Sequence, residues 1–344
     1  MAFCFKHNNF CAWLFVVIAL VLLSACRQNR LDADISNIEV NLKVKRFEKS
    51  LFEVNTDKLP YEIVRLDSAY GNFFGNFTKG VINIGKLGDP GFEEGLRGFI
   101  TDQNILEVYH TAEKVFEDLK PIENELEDAF KRYKFYFPEK PIPEVFTYIS
   151  GFNYAIVATD SVLGIGLDMY LGSSSEYYKR LGIPQYKTHN MSKEFIASDC
   201  MRGWLTSDFV LDGSDNSLLA QMIYYGRVLY FLDAVFPDMD DSLKIGFTQK
   251  QLEWCRSNEA QMWAFLIENK MLYSSDYKET VKYTGEAPFT TGFPSESPGR
   301  SGWWIGWQII KSYMRVNEAV TLNQLLNEKD ARNILTKSKY KPNK

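Results

Sequence analysis

Histidine is the scarcest chemically useful residue in this chain. Three occur in 344 residues: His7, His110 and His189. No H-E-x-x-H is present, so the paired imidazoles and water-activating glutamate of a zinc hydrolase are missing. An all-oxygen calcium site stays open on this ground, although the acidic run at Asp238, Asp240 and Asp241 lacks EF-hand spacing. Cysteine is sparse too. Beyond residue 26 only Cys200 and Cys255 remain, enough for one disulfide or two separate buried thiols. Without a C-x-x-C, neither a dithiol redox centre nor a zinc knuckle is supported. G-x-S-x-G, G-x-G-x-x-G and G-x-x-x-x-G-K-S/T are all missing, which removes the nucleophile elbow and the glycine loops that cradle phosphates. The formal net charge is −5 with no concentrated Lys/Arg patch, so nucleic acid is not an expected partner.

What the chain holds in quantity is apolar and aromatic material. Hydrophobic residues make up 45% and aromatics 15%, enough for a sizeable core rich in rings. Phe10 to Leu23 is an almost unbroken apolar run behind Lys6. It has signal-peptide length and is too short for an ordinary transmembrane span. Leu23-Ser24-Ala25-Cys26 closes the run and resembles a bacterial lipobox, in which Cys26 takes acyl chains and becomes the mature N-terminus. More than one chain makes anchoring stable, at roughly 0.8 kcal/mol per buried methylene. Residue 27 is Arg and not the Asp that retains lipoproteins at an inner membrane, so an outer-membrane anchor facing the periplasm is expected. The organisation that follows is a signal peptide at 1–25, a lipidated tether at 26–42, one globular domain at 43–338 and a frayed basic tail at 339–344.

The domain reads as α+β, mostly helical with a small mixed or antiparallel sheet. The glycine-rich segment 80–102 predicts a packed loop. Asp102 is placed to cap a helix carrying Ile105, Val108, Ala112 and Val115 at helical spacing, and Pro121 opens the next. Strands are predicted at 147–150, at 155–159 and from Leu163 to Leu171, with a turn at Asp160-Ser161. Thr248 and Thr321 are expected helix caps, and the text from Gln249 to Tyr273 predicts one long helix.

Leu218 to Phe236 is apolar nearly all round, as an enclosed helix should be. Asp168 interrupts an apolar strand, where it can bind a cation or receive a substrate donor, or else point to solvent or accept backbone donors at an edge. Asp168 and Glu268, or Glu259 in place of Glu268, are the carboxylates that a divergent hydrolase would bring together. The proline- and glycine-rich loop at 284–302, with Arg300, Trp303 and Trp304, is a candidate contact surface, or else a structural loop over core tryptophans. Gly302 and Gly306 allow another element to approach closely.

The mature chain resembles the gliding-motility lipoprotein GldB family of Bacteroidetes. The resemblance runs through NYAIVATDSVLGIGLDMYLG at 153–172, LLAQMIYYGRVLYFLD at 218–233, WCRSNEAQMWAFLIENKMLYSSD at 254–276 and FPSESPGRSGWWIGWQIIKSYM at 293–314. It implies a role in gliding and in the type IX secretion machinery on which gliding depends, with protein components of that machinery as partners. The family is distantly similar to zincin-type metallopeptidases, which implies a degenerate zincin-like architecture. In that match Met222, Ile223 and Gly226 occupy the His, Glu and His positions of H-E-x-x-H, and Glu268 matches the later acidic ligand. The resemblance therefore implies a non-enzymatic protein without metal or cofactor. A divergent carboxylate- or metal-dependent hydrolase is the alternative.

Overall fold

The computed structural model describes residues 31–342. The expected signal peptide and Cys26 lie outside the described residues. Strands β1 (Val44–Arg46), β2 (Glu144–Tyr148), β3 (Ile156–Ala158) and β4 (Val162–Gly166) form one sheet in the order β1-β2-β4-β3. The first three in that order run parallel, and β3 is antiparallel to β4. The sheet is therefore mixed, and the architecture is α+β.

The inner strands are apolar on both faces because both faces are covered. Phe146, Tyr148 and Val162 point into one aromatic-rich core, and Val145, Leu163 and Ile165 point into a larger one. The register sets Phe146 opposite Gly164 and Tyr148 opposite Gly166, so large rings sit across from residues without side chains. A Cβ at Gly164 would come within 2.8 Å of the Tyr148 ring.

Helices α1 (Phe47–Phe52), α2 (Leu59–Tyr70), α3 (Asn72–Asn76) and α4 (Phe92–Thr101) build the smaller core. Its centre is a ring cluster in which Phe73 stacks on Phe146 at 4.4 Å and Phe47 meets Phe77 edge-on at 4.9 Å. Helix α4 corrects the expected loop at 80–102. Phe92, Leu96 and Ile100 recur every four residues and are buried, and that stripe outweighs the helix cost of Gly95 and Gly98.

The larger core gathers α5 (Gln103–Val115), α6 (Lys120–Tyr136), α7 (Ile196–Asp208), α8 (Leu218–Val235), α9 (Gln249–Ser257), α10 (Glu259–Glu268), α11 (Tyr277–Thr284), α12 (Ser301–Val316), α13 (Leu322–Asn327) and α14 (Ala331–Ser338). Asp102 caps α5 through the Ile105 amide, and Thr248 and Thr321 each close a capping box. The single helix expected over 249–273 is broken at Asn258, whose amide and side chain both donate to Trp254 O, at 3.0 and 2.8 Å. Cys200 and Cys255 are separate, buried free thiols. Among the described residues no helix is long and apolar enough to cross a membrane.

Both ends of the domain extend further than the sequence suggests. The tether expected up to residue 42 is held from Leu31 onward: Ala33, Val40 and Leu42 are buried, and Leu31 and Ile38 pack on the larger core. The tail expected to fray is pinned at Tyr340, which donates to Glu259 Oε1 at 2.9 Å and meets Trp263 edge-on. In each case a few apolar side chains in polar text find a place on the core.

Helices α8 and α12 cross at their glycines. A Cβ on Gly226 would fall inside the Gly306 carbonyl and 2.8 Å from Trp307 N, and one on Gly306 would reach 3.1 Å from Met222 Cα. Gly302 is similarly close to Met222 and to Tyr283 O, at 3.2 and 2.9 Å. Such backbone contact leaves no flexible atom to yield, so Gly306→Ala should destabilise by more than about 2 kcal/mol. Gly213→Ala, on an open loop, should change stability by less than about 1 kcal/mol. Urea unfolding of the two variants checks this, and equal midpoints would remove the crossing from the account.

Candidate functional site

The helix that matches a metal-binding helix in the family resemblance is committed to packing. Met222, Ile223 and Gly226 are all buried on α8. The Gly226 position faces the α12 backbone, and an imidazole there would displace Gly306. The second ligand position is thus the crossing point itself.

Asp168 does not lie on a strand. The strand expected to reach Leu171 ends at Gly166, and Leu167–Tyr170 turn as a 3₁₀ helix. The cause is the Asp168 carboxylate, which points inward. It accepts from Ser150 N at 3.0 Å, Ser150 Oγ at 2.9 Å and Phe152 N at 2.6 Å. Gly151 and Phe152 both have positive φ, which aims the flanking amides at one anion. Tyr178 Oη donates to the Asp168 carbonyl at 2.9 Å and accepts from Leu171 N at 2.8 Å. Asp168 is fully enclosed, and burial raises its pKa against these hydrogen bonds.

Glu268 is exposed on the last turn of α10, whereas Glu259 is buried on its first turn against Tyr340. An enclosed Asp168 and an exposed Glu268 do not line one open cleft. Among the described residues no group of three or more His, Cys, Asp or Glu is placed to hold a metal ion.

Arg300, Trp303 and Trp304 are buried, so none of the three presents an open surface. Arg300 caps α12 in the left-handed region at φ 58°. Its guanidinium lies 4.6 Å from the Trp303 ring centre, 3.1 Å from Glu286 Oε1 and 3.5 Å from Gly246 O. Tyr225 of α8 stacks on the same indole at 4.0 Å, and Trp303 Nε1 donates to Thr284 O at 3.0 Å. Burial depresses the Arg300 pKa, and the nearby Glu286 carboxylate opposes that shift. Thr290 Oγ1 donates to Pro298 O at 2.7 Å, closing the loop above. The loop is a strap fastened to α8, α11 and α12.

A neighbouring group, not singled out in the sequence, completes this cluster. Arg202 Nη1 is 3.3 Å from Asp199 Oδ1, and Tyr170 Oη donates to Asp199 Oδ2 at 3.0 Å. Arg202 Nη2 also donates to Lys244 O. Burial raises the Asp199 pKa, with Arg202 and the Tyr170 hydrogen bond acting against it. The i, i+3 spacing of Asp199 and Arg202 was the available signal. A cleft of about 530 Å³ is lined by Ser173, Ser174, Tyr178, Lys179, Ile183 and His189 among others. Lys179 is paired there with Glu176 at 2.6 Å.

Two measurements test these assignments. A carboxyl whose folded pKa is raised binds a proton on folding, so it favours the fold most at low pH. That contribution is lost as pH climbs from the ordinary aspartate value, about 3.9, through the raised folded value. The stability of wild type relative to Asp168→Asn should therefore fall as pH rises from about 4. Urea titrations across that range check the slope, and a rising difference would reverse the assignment. Arg300→Gly removes the guanidinium and the left-handed strain together, whereas Arg300→Ala keeps the strain. By calorimetry Arg300→Gly should be the more stable of the two by about 1 kcal/mol.

A family model described as gliding motility protein GldB matches residues 28–342. No curated protein and no solved structure matches the chain. The match spans nearly the whole sequence, including the sheet, the α8–α12 crossing and the strap, and the chain belongs to the gliding motility protein GldB family.

Proposed function

We propose that this protein is a lipid-anchored, non-enzymatic component or assembly factor of the gliding machinery. It is held by acyl chains on Cys26 at the outer membrane, faces the periplasm and works with type IX secretion. Family membership supports the gliding role and a lipoprotein of the cell envelope. The apolar leader, the Leu-Ser-Ala-Cys end and Arg27 support the anchor and its destination. The observation that carries the non-enzymatic reading is the use of Met222 and Gly226 for helix crossing. Ligands cannot be restored there without separating α8 from α12. Its partners are protein components of that machinery.

Cys26→Ser should move the protein from the membrane fraction to the soluble envelope fraction and abolish gliding. Fractionation with immunoblotting, and colony spreading of the variant strain, measure the two effects. A variant that stays membrane-bound and glides normally would defeat the anchor. Mild crosslinking of native membranes followed by affinity capture should recover gliding or secretion components, and recovery of none would count against the machinery role.

A further inference from the structure

We infer that the C-terminal end of α6, with the loop after α7, is the face this protein lays on the lipid bilayer. The inference rests on the proposed acylation of Cys26. Five peptide steps separate Cys26 from Leu31, where the described chain is already docked. Fully extended they span at most about 18 Å, so the point where Leu31 joins the domain is held close to the headgroups. That point is specific: Tyr136 Oη donates to Leu31 O at 3.2 Å, and Leu31 packs on the larger core.

The surface around it has interfacial chemistry. Residues 131–140 carry Lys131, Arg132, Lys134 and Lys140 against Glu139, with Lys131 paired to Glu127 and Lys140 to Asp208. Of the rings in this stretch Phe135 is exposed and Tyr136 half-buried, while Tyr133 and Phe137 lie in the core. Phe135 is 47% exposed although it neighbours a well-packed helix end, and its ring meets Tyr136 edge-on at 5.1 Å. Lys140 joins this end of α6 to the end of α7 through Asp208, at 2.8 Å. Two residues beyond, Val210 is 69% exposed. Phe135 is thus an exposed ring beside the residue that holds Leu31, and Val210 is an exposed apolar side chain on the segment that Lys140 ties to this helix end. Aromatic rings with a polar edge, and lysines whose stems lie along apolar surface, belong at such a boundary. The smaller core, with α2, lies across the sheet from α6 and is left facing away from the membrane.

The test uses the full lipidated protein in vesicles of phosphatidylethanolamine and phosphatidylglycerol. Phe135→Cys, Val210→Cys and Tyr61→Cys each carry an environment-sensitive fluorophore. Tyr61 is 69% exposed on α2 and serves as the far-side reference, while native Cys200 and Cys255 are buried. Nitroxide lipids labelled near the headgroup should quench positions 135 and 210 several-fold more than position 61. Hydrogen exchange of the unsubstituted protein should show slower exchange at 131–140 on vesicles than in detergent. Equal quenching at all three positions, or stronger quenching at 61, overturns the inference, as does unchanged exchange at 131–140. The mass of the mature N-terminal peptide reads acylation separately. An unacylated Cys26 overturns both this inference and the anchor, whereas an acylated Cys26 with the wrong quenching pattern overturns this inference alone.

Discussion

The contact between Gly226 and Gly306 sets the positions of most groups in the larger core. Helices usually pack 8–10 Å apart because side chains intervene. Here both helices give up the side chain at the crossing, so backbone meets backbone. The close approach carries α12's tryptophans onto α8. Trp303 stacks on Tyr225, and one turn later Trp307 Nε1 donates to Asp233 Oδ2 at 2.8 Å. One helix pair is therefore keyed at three levels: an aromatic stack, a glycine seam and a hydrogen-bonded carboxylate.

That depth of packing forces polar groups inside, and each buried pair answers a desolvation cost. Asp233 accepts from Lys244 at 2.9 Å and lies 3.6 Å from Lys311. Lys311 also sits 3.6 Å from the Trp307 ring centre. Arg227, on the same apolar helix, donates to the Leu326 and Glu328 carbonyls at 3.0 and 2.5 Å, where α13 ends. Burial pushes the Arg227 pKa down to about 10, which still leaves it charged at neutral pH. Buried charges of this kind contribute specificity more than net stability, because removing either member strands the other in a poor solvent.

Local chemistry was legible in the sequence wherever one residue type decides a backbone problem. Asp102, Thr248 and Thr321 cap helices because a short oxygen-bearing side chain at that position satisfies free amides. Gly302 and Gly306 signalled a close approach, and the enclosed helix at 218–235 followed from its lack of a polar face. What could not be read was the choice of partner. The partners of Asp168, Asp233 and Arg227 come from segments distant in sequence, which no local pattern names. The strand over 163–171 was overextended for the same reason: the local text is strand-like, but a hydrogen bond set from residues 150–152 bends it at Asp168. The candidate residues Arg300, Trp303 and Trp304 share one neighbourhood, whereas Asp168 and Glu268 occupy an enclosed and an exposed environment.

The parallel pairing of β1 with β2 joins Val44 to Val145, positions 145 − 44 = 101 residues apart. Contacts of that range close late, because the intervening chain must surrender its loop entropy before any ladder bond repays it. β1 is also the strand nearest the proposed anchor. A chain emerging from its N-terminus thus exposes the anchored end first and can lock it only after the residues of β2 have arrived. The strand that follows the proposed anchor is the first part of the sheet made and among the last to be paired, so completion of the sheet waits on chain made about a hundred residues later.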